Sequence, residues 1–241
     1  MKKKLGIIGG MGPAATARLF ARVIDFTEVV RDQDHIDTVV LNLASIPDRS
    51  AYLLKKPGAM PFAGTLKQAA HTLEEMDCAV LAMPCNTAHA AYVEVAASLS
   101  HATLLNMPRE AARFVRSLEC ERAGLLATDG TIFAGVFQTG FNEENIACVT
   151  PDESHQKKVM STIYDYVKAG KKPPEGLFEE VLDALCASGC DSYILGCTEL
   201  SLLGVPPYYK GKPVVDALDV LAWRCVEACG YPARDLTQQY A

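Results

Sequence analysis

Two cysteines stand in company that suits proton transfer. Cys85 lies in Met83-Pro84-Cys85-Asn86-Thr87-Ala88-His89, and Cys197 in Leu195-Gly196-Cys197-Thr198-Glu199-Leu200. Each follows a short apolar run and precedes polar residues at a plausible helix start. An unperturbed thiol titrates near about 8.5, so a modest shift supplies a thiolate at neutral pH. Backbone N–H groups at a helix N-terminus can lower that value and can also hold a carboxylate. Asn and Thr are good cap residues and good donors to a carboxylate. Two such thiols on opposite sides of one carbon would remove a proton from one face and deliver one to the other.

The elements that must position these thiols follow from the hydrophobic pattern. Leu5 to Ile8, Thr38 to Leu43, Ala79 to Ala82 and Thr103 to Leu105 read as buried strands, as do Ala123 to Ala127, Ile146 to Val149, Ser192 to Leu195 and Pro213 to Val215. Helical patterns occupy 14–30, 65–75, 156–169 and 177–187. Strands alternating with helices predict an α/β fold with parallel sheets covered by helices. Lys171-Lys172-Pro173-Pro174-Glu175-Gly176 reads as a loop.

The chain also repeats itself at half its length. Gly6-Ile7-Ile8 with its Gly-rich turn resembles Gly124-Leu125-Leu126 followed by Asp129-Gly130-Thr131. Ile46-Pro47-Asp48 resembles Thr150-Pro151-Asp152, and the run from Cys78 to Cys85 resembles that from Cys190 to Cys197. Leu104-Leu105-Asn106 and Val214-Val215-Asp216 each precede a helix. Four matches in the same order predict two pseudosymmetric lobes. The expected division is 1–107 plus 216–241 for the lobe carrying Cys85, and 108–215 for the lobe carrying Cys197. Ligands of open parallel sheets bind beyond the carboxyl ends of the strands. Facing lobes would therefore bring both thiols to one cleft, on opposite walls.

Other chemistries fit less well. The nine cysteines of this 241-residue chain form an odd set without C-x-x-C, which suits reduced thiols in the cytoplasm. Cys78, Cys120, Cys148, Cys186, Cys190, Cys225 and Cys229 read as small buried residues, and the i,i+4 pairs Cys186/Cys190 and Cys225/Cys229 as packing rather than zinc sites. Gly10-Met11-Gly12-Pro13-Ala14-Ala15 fits a dinucleotide turn, but the second strand ends in Asn42-Leu43-Ala44-Ser45 without the acidic residue that a ribose requires. Cys85 and His89 could form a hydrolytic pair, which would leave Cys197 unexplained. A net charge of −6 argues against nucleic acid, and no apolar run is long enough for a membrane span. Lys2 to Lys4 before an apolar stretch imitates a signal peptide, but Gly9, Gly10, Gly12 and Pro13 break that stretch.

Gly9-Gly10-Met11-Gly12-Pro13-Ala14-Ala15-Thr16, Ile46-Pro47-Asp48-Arg49 and the two cysteine motifs together resemble the aspartate/glutamate racemase family, its aspartate racemase branch most closely. The resemblance covers nearly the whole chain. It implies two pseudosymmetric lobes, a homodimer, and cofactor-independent racemisation of a small acidic amino acid without pyridoxal phosphate or metal. Glutamate racemases of cell-wall synthesis typically open with Asp-Ser-Gly and place His after the second Cys-Thr; Gly10-Met11-Gly12-Pro13 and Glu199 stand here instead. Some relatives replace one cysteine with Thr, whereas this chain keeps both. The resemblance implies Cys85 and Cys197 as the two acid/base groups, Cys197 serving the L-isomer and Cys85 the D-isomer. It implies Asn86, Thr87, Thr131 and Thr198 at the α-carboxylate and amine, Arg49 and Lys168 at the side-chain carboxylate, and Met11 and Ala88 as further substrate-binding residues. Related isomerases, decarboxylases and hydantoin racemases use a similar cleft, and an amino-acid-binding regulatory protein is the non-enzymatic alternative.

Overall fold

A computed structural model describes residues 2–240. In chain order the elements are β1 (Lys4–Gly9), α1 (Pro13–Phe26), β2 (Thr38–Asn42), α2 (Arg49–Leu53), α3 (Ala63–Glu75), β3 (Cys78–Ala82), α4 (Tyr92–Ala96), β4 (Thr103–Leu104) and α5 (Met107–Ser117). They continue with β5 (Arg122–Leu126), α6 (Asp129–Phe133), α7 (Gln138–Glu143), β6 (Ala147–Val149), α8 (Glu153–Ser161), α9 (Leu177–Ala187), β7 (Ser192–Leu195), β8 (Tyr208–Tyr209), β9 (Lys212–Asp216) and α10 (Ala217–Ala228).

The strands form two sheets, ordered β2-β1-β3-β4 and β6-β5-β7-β9-β8. All pairings are parallel except β8 with β9. The first four strands of one sheet correspond in order to β5, β6, β7 and β9 of the other, which is the repeat seen in the sequence. The nearly unbroken burial of β1, β5 and β7 reflects helices on both faces of each sheet. Period-2 alternation sorts neighbouring side chains to opposite faces. Thus Ile7, Val80 and Ala82 join a central core with Leu125, Ile194 and Val215 of the other sheet, together with Leu19 and Val23 of α1, Phe114 and Val115 of α5 and Leu218 and Leu221 of α10. Ile8 and Leu81 face the other way, against Leu66 and Leu73 of α3. Leu126 and Leu195 likewise pack with Val159 of α8 and Val181 and Leu185 of α9. The helices α1, α5 and α10 therefore form a shared layer between the two sheets.

Two differences from the sequence pattern bear on the site. The helical stretch expected over 156–169 is α8 followed by a wider π-turn, Thr162–Val167, with Lys168 N–H bonded to the Ile163 carbonyl. The turns after Cys85 and Cys197 are short 3₁₀ segments, Thr87–Ala91 and Leu200–Leu203, rather than α-helices. The expected first helix also stops at Phe26, not Val30. The β8 strand, two residues long, leaves too little pattern to be found by periodicity.

A buried carboxylate fixes the approach to β4. Glu74 accepts backbone N–H bonds from Ser100 (2.9 Å), His101 (2.7 Å) and Ala102 (2.8 Å), which hold its carboxyl down at about 2. Because the folded value is depressed, this contribution is full above the ordinary carboxylate range and fades as pH falls from about 4.5 towards about 2. Bonds to a charged acceptor contribute about 1.5–3 kcal/mol net. Glu74→Gln should therefore lower Tm by about 3–12 °C at neutral pH, at about 2–4 °C per kcal/mol. The gap between the two proteins should narrow in acid, as thermal melts at a series of pH values would show.

Candidate active site

The carboxyl ends of the strands in both sheets lead into one place. Beyond β1 the chain turns at Gly10, whose φ of +98° no larger residue tolerates easily. A Cβ there would also fall 2.3 Å from the Leu43 carbonyl carbon. The turn delivers Met11. Beyond β2 comes α2, capped by Asp48 through the Ala51 N–H and beginning at Arg49. Cys85 follows β3, Thr128 follows β5, and Cys197 follows β7. A single chamber with free space of about 10 Å³ is lined by Cys85 and Cys197 together with Met11, Asp48, Arg49, Ser50, Asn86, Thr87, Thr128, Tyr164, Lys168, Thr198 and Glu199. That is room for about one water molecule, so the chamber is nearly closed in this structure.

Hydrogen bonds tie the lobes together at its walls. Thr198 Oγ1 donates to the Pro84 carbonyl at 3.3 Å, linking the residue after one thiol to the residue before the other. The hydroxyls of Thr87, Thr128 and Thr131 form a closed triangle of 2.8–3.2 Å, and Ser50 donates to Thr128 at 3.0 Å. Close packing accompanies this cluster: a Cβ on Gly130 would meet Ser50 Cα at 2.6 Å.

Of the residues singled out in the sequence, Met11, Arg49, Cys85, Asn86, Thr87, Lys168, Cys197 and Thr198 line the chamber. Thr131 stands behind Thr87 and reaches the chamber through it. Ala88 is fully buried in the core packed on α3, away from the chamber wall. Asp48, Ser50, Thr128, Tyr164 and Glu199 complete the lining without having been assigned roles in the sequence. Their signals were adjacency to Arg49, the Thr-Asp-Gly-Thr turn of the repeat, and an i,i+4 relation between Tyr164 and Lys168.

Several polar groups here are buried without a partner among the described residues. Both amide atoms of Asn86 and Nε of Arg49 are in this position. Arg49 uses Nη1 to bind the carbonyls of Ile46 (3.1 Å) and Pro47 (2.9 Å), which orients the rest of its guanidinium. Unpaired buried polar atoms cost free energy unless a ligand or water completes them, so these atoms mark where a polar ligand would bind.

The two thiols differ in surroundings. Cys197 Sγ donates to Glu199 Oε2 at 3.0 Å. Burial, then the Glu199 charge and this hydrogen bond, push the Cys197 thiol well above its ordinary range. This reverses the lowering expected from a helix N-terminus: the following segment is a short 3₁₀ turn, and the nearest charge is negative. Lys168 Nζ lies 3.5 Å from Glu199 Oε1 and 4.5 Å from the centre of the Tyr164 ring. Burial is the largest influence and works to lower the Lys168 value, but Glu199, Tyr164, Cys197 and Cys85 together outweigh it and hold the ammonium above its ordinary range.

His89 is committed elsewhere. Its Nε2 accepts from the Met107 N–H at 3.1 Å, which leaves Nδ1–H to donate to the Cys85 carbonyl at 2.9 Å. Burial holds it neutral, with its value down at about 4. With both ring nitrogens occupied by backbone, His89 cannot serve as a base for the Cys85 thiol. All nine cysteines are free; Cys148 and Cys186 are half-buried and the others buried. Among the described residues no group of three or more His, Cys, Asp or Glu is placed to hold a metal ion. No helix among them is long and apolar enough to cross a membrane.

Comparison with known proteins agrees with this architecture. Residues 8–225 match the family described as Asp/Glu/hydantoin racemase. The aspartate racemase of Picrophilus torridus has a similar structure, with a TM-score of 0.81 and 28% identity across 98% of each chain. The broad specificity amino-acid racemase RacX of Bacillus subtilis is 24% identical over 228 residues, covering 90% of this chain and 94% of that one. A glutamate racemase of Francisella tularensis, solved with D-glutamate, shares the fold at a TM-score of 0.65 and 13% identity, over 94% of this chain and 80% of its own.

Proposed function

The chain belongs to the Asp/Glu/hydantoin racemase family, and from that kinship we propose that it interconverts the enantiomers of an acidic amino acid, aspartate foremost, through proton transfer by Cys85 and Cys197. The observation that carries this reading is the lining of one small chamber by both thiols and by two cationic side chains, Arg49 and Lys168.

In this reading the substrate lies with Cα between the thiols. One sulfur, as thiolate, takes the Cα proton; the other, as thiol, delivers a proton to the opposite face. The return reaction runs with the protonation states exchanged. Cys197 serves the L-isomer and Cys85 the D-isomer. The hard step is charge build-up at Cα and its carboxylate. The Asn86 amide and the backbone N–H groups of Thr87 and Thr198 supply stabilisation there, the two hydroxyls being engaged with Thr128, Thr131 and the Pro84 carbonyl. The unpartnered Asn86 amide suits a ligand that offers both an acceptor and a donor, as an α-amino acid does. Arg49 and Lys168 receive the distal carboxylate, the guanidinium through its fork. Met11 packs against the substrate stem, while Thr131 and Ala88 support the turn that presents Thr87.

The two thiols provide both proton-transfer groups, so the reaction needs no pyridoxal phosphate. The reading divides the chain into a lobe of 1–107 with 216–241 and a lobe of 108–215, supported by backbone hydrogen bonds of Lys3 to Cys229, Glu28 to Pro232 and Arg234 to Phe26. A homodimer is part of the same reading. The direct test is chiral chromatography of single L- and D-amino acids after incubation with the purified protein. Aspartate should racemise in both directions, with kcat/KM above that of uncharged amino acids of the same length. A preference for uncharged substrates would overturn the acidic assignment.

A further inference from the structure

The pseudosymmetry of the two thiols is broken at one position. Two residues after Cys85 stands Thr87, whose hydroxyl is occupied by Thr128 and Thr131. Two residues after Cys197 stands Glu199, a buried carboxylate whose one oxygen accepts from the thiol and whose other oxygen faces Lys168. Among the described residues only one of the two thiols therefore has a proton acceptor in contact with it.

The Glu199–Lys168 contact lies at a boundary. A groove with free space of about 360 Å³, bounded by Pro13, Ala44, Val167 and Leu202, runs up to the chamber. Asp48, Arg49, Lys168 and Glu199 line both spaces. At 3.5 Å the Lys168–Glu199 contact is an ion pair longer than a usual hydrogen bond, and the Tyr164 ring face lies on the other side at 4.5 Å. The Lys168 side chain is also 29% exposed, enough to turn towards an anion entering from the groove.

We infer that Glu199 accepts the Cys197 proton during the reaction, and that the distal carboxylate of an acidic substrate frees it to do so by drawing Lys168 away. This rests on the racemase reading above. Charges this close interact strongly in a water-poor site, and the effect falls with distance. Lys168 touches Glu199 directly, so its departure raises the basicity of Glu199 more than it affects the sulfur. The proton then passes from Sγ to Oε2, leaving a Cys197 thiolate and a neutral Glu199. The thiolate takes the Cα proton of the substrate, and Cys85 delivers its own proton to the other face. Return of the Glu199 proton to the Cys85 thiolate through water restores the starting state. The groups facing this pair are Asp48, Arg49, Tyr164 and Cys85, of which Arg49 stays with the substrate carboxylate. Side-chain recognition and activation of one thiol become a single event, and Cys85 has no such coupling.

The two single-thiol proteins separate this idea from a general structural role. In deuterated water, Cys85→Ser leaves Cys197 to exchange Cα–H of one enantiomer, and Cys197→Ser leaves Cys85 to exchange the other. Saturated exchange rates are measured by NMR for aspartate and for 2-aminobutyrate, which has the same length and no distal charge. Through Cys197 the aspartate rate should exceed the 2-aminobutyrate rate by about 10²-fold, the order of a positioned acid or base. Adding Glu199→Gln or Lys168→Met should shrink that ratio to a few-fold. Through Cys85 the ratio should be within a few-fold from the outset. Equal ratios through both thiols, or a Cys197 ratio indifferent to Glu199→Gln, would overturn the coupling while leaving the racemase reading intact. Failure of the unmodified protein to racemise aspartate, together with no exchange through either thiol, would overturn both.

Discussion

Replacing either Cys85 or Cys197 by Ser should lower racemisation of aspartate by at least about 10²–10⁴-fold, the usual contribution of a positioned general acid or base. In free energy this is about 2.7–5.4 kcal/mol of lost transition-state stabilisation. The substitution keeps size and a hydrogen-bonding atom but replaces a thiol with a far weaker acid. Both thiols line the chamber, and inversion needs one on each face, so neither can substitute for the other. The loss in kcat/KM should be the same in both directions, because the equilibrium constant between enantiomers is one and equals the ratio of the two kcat/KM values. Ser at Cys78, Cys190 or Cys229 makes the control: each is fully buried in apolar packing and outside the chamber. Those variants should cost about 1–3 kcal/mol of stability through an unsatisfied hydroxyl, with turnover of the folded protein retained. A Cys85→Ser or Cys197→Ser protein that racemises at a near-normal rate would contradict the mechanism.

Arg49→Ala should reduce kcat/KM for aspartate by about 10²–10³-fold, or about 2.7–4 kcal/mol, and that for an uncharged amino acid by less than about tenfold. The guanidinium is buried, its Nη1 is fixed by the Ile46 and Pro47 carbonyls, and its Nε finds no partner among the described residues. Such a group is preorganised for a planar carboxylate. Arg49→Lys keeps charge but not the fork, so it should recover only part of the loss. Steady-state kinetics with paired acidic and neutral substrates decide the matter. An equal loss on both would place Arg49 in support of the loop rather than in recognition of the side chain.

Much of the fold was legible because parallel sheets buried on both faces leave continuous apolar runs. Each of the eight runs picked out by pattern is a strand, and the order of the repeat is the order of the two sheets. The proximity of Cys85 and Cys197 followed from that repeat, since equivalent turns at facing strand ends converge. Contacts made across the lobes were not legible. Ser50 and Thr128 carry no signal as individual residues; they matter because Gly130 lets α6 approach α2 closely. Glu199 was visible within its motif, but its hold on Cys197 depends on the tight 3₁₀ turn that folds the carboxylate back to the sulfur. The reach of Lys168 depends on the π-turn, a local rewinding that a regular helical period does not reveal. The upward push on the Cys197 thiol came from burial and a neighbouring carboxylate, both set by tertiary packing.

The central claim is that two groups act from opposite faces of Cα, and the isotopic composition of each enantiomer early in the reaction tests it most directly. L-aspartate is incubated with the protein in deuterated water and the enantiomers are separated after a small fraction has converted. The D-aspartate formed should carry deuterium at Cα from the first turnovers, delivered by the second thiol, while the recovered L-aspartate should remain protiated. Deuterium appearing in both enantiomers at equal rates would show a single base serving both faces, and would contradict the account.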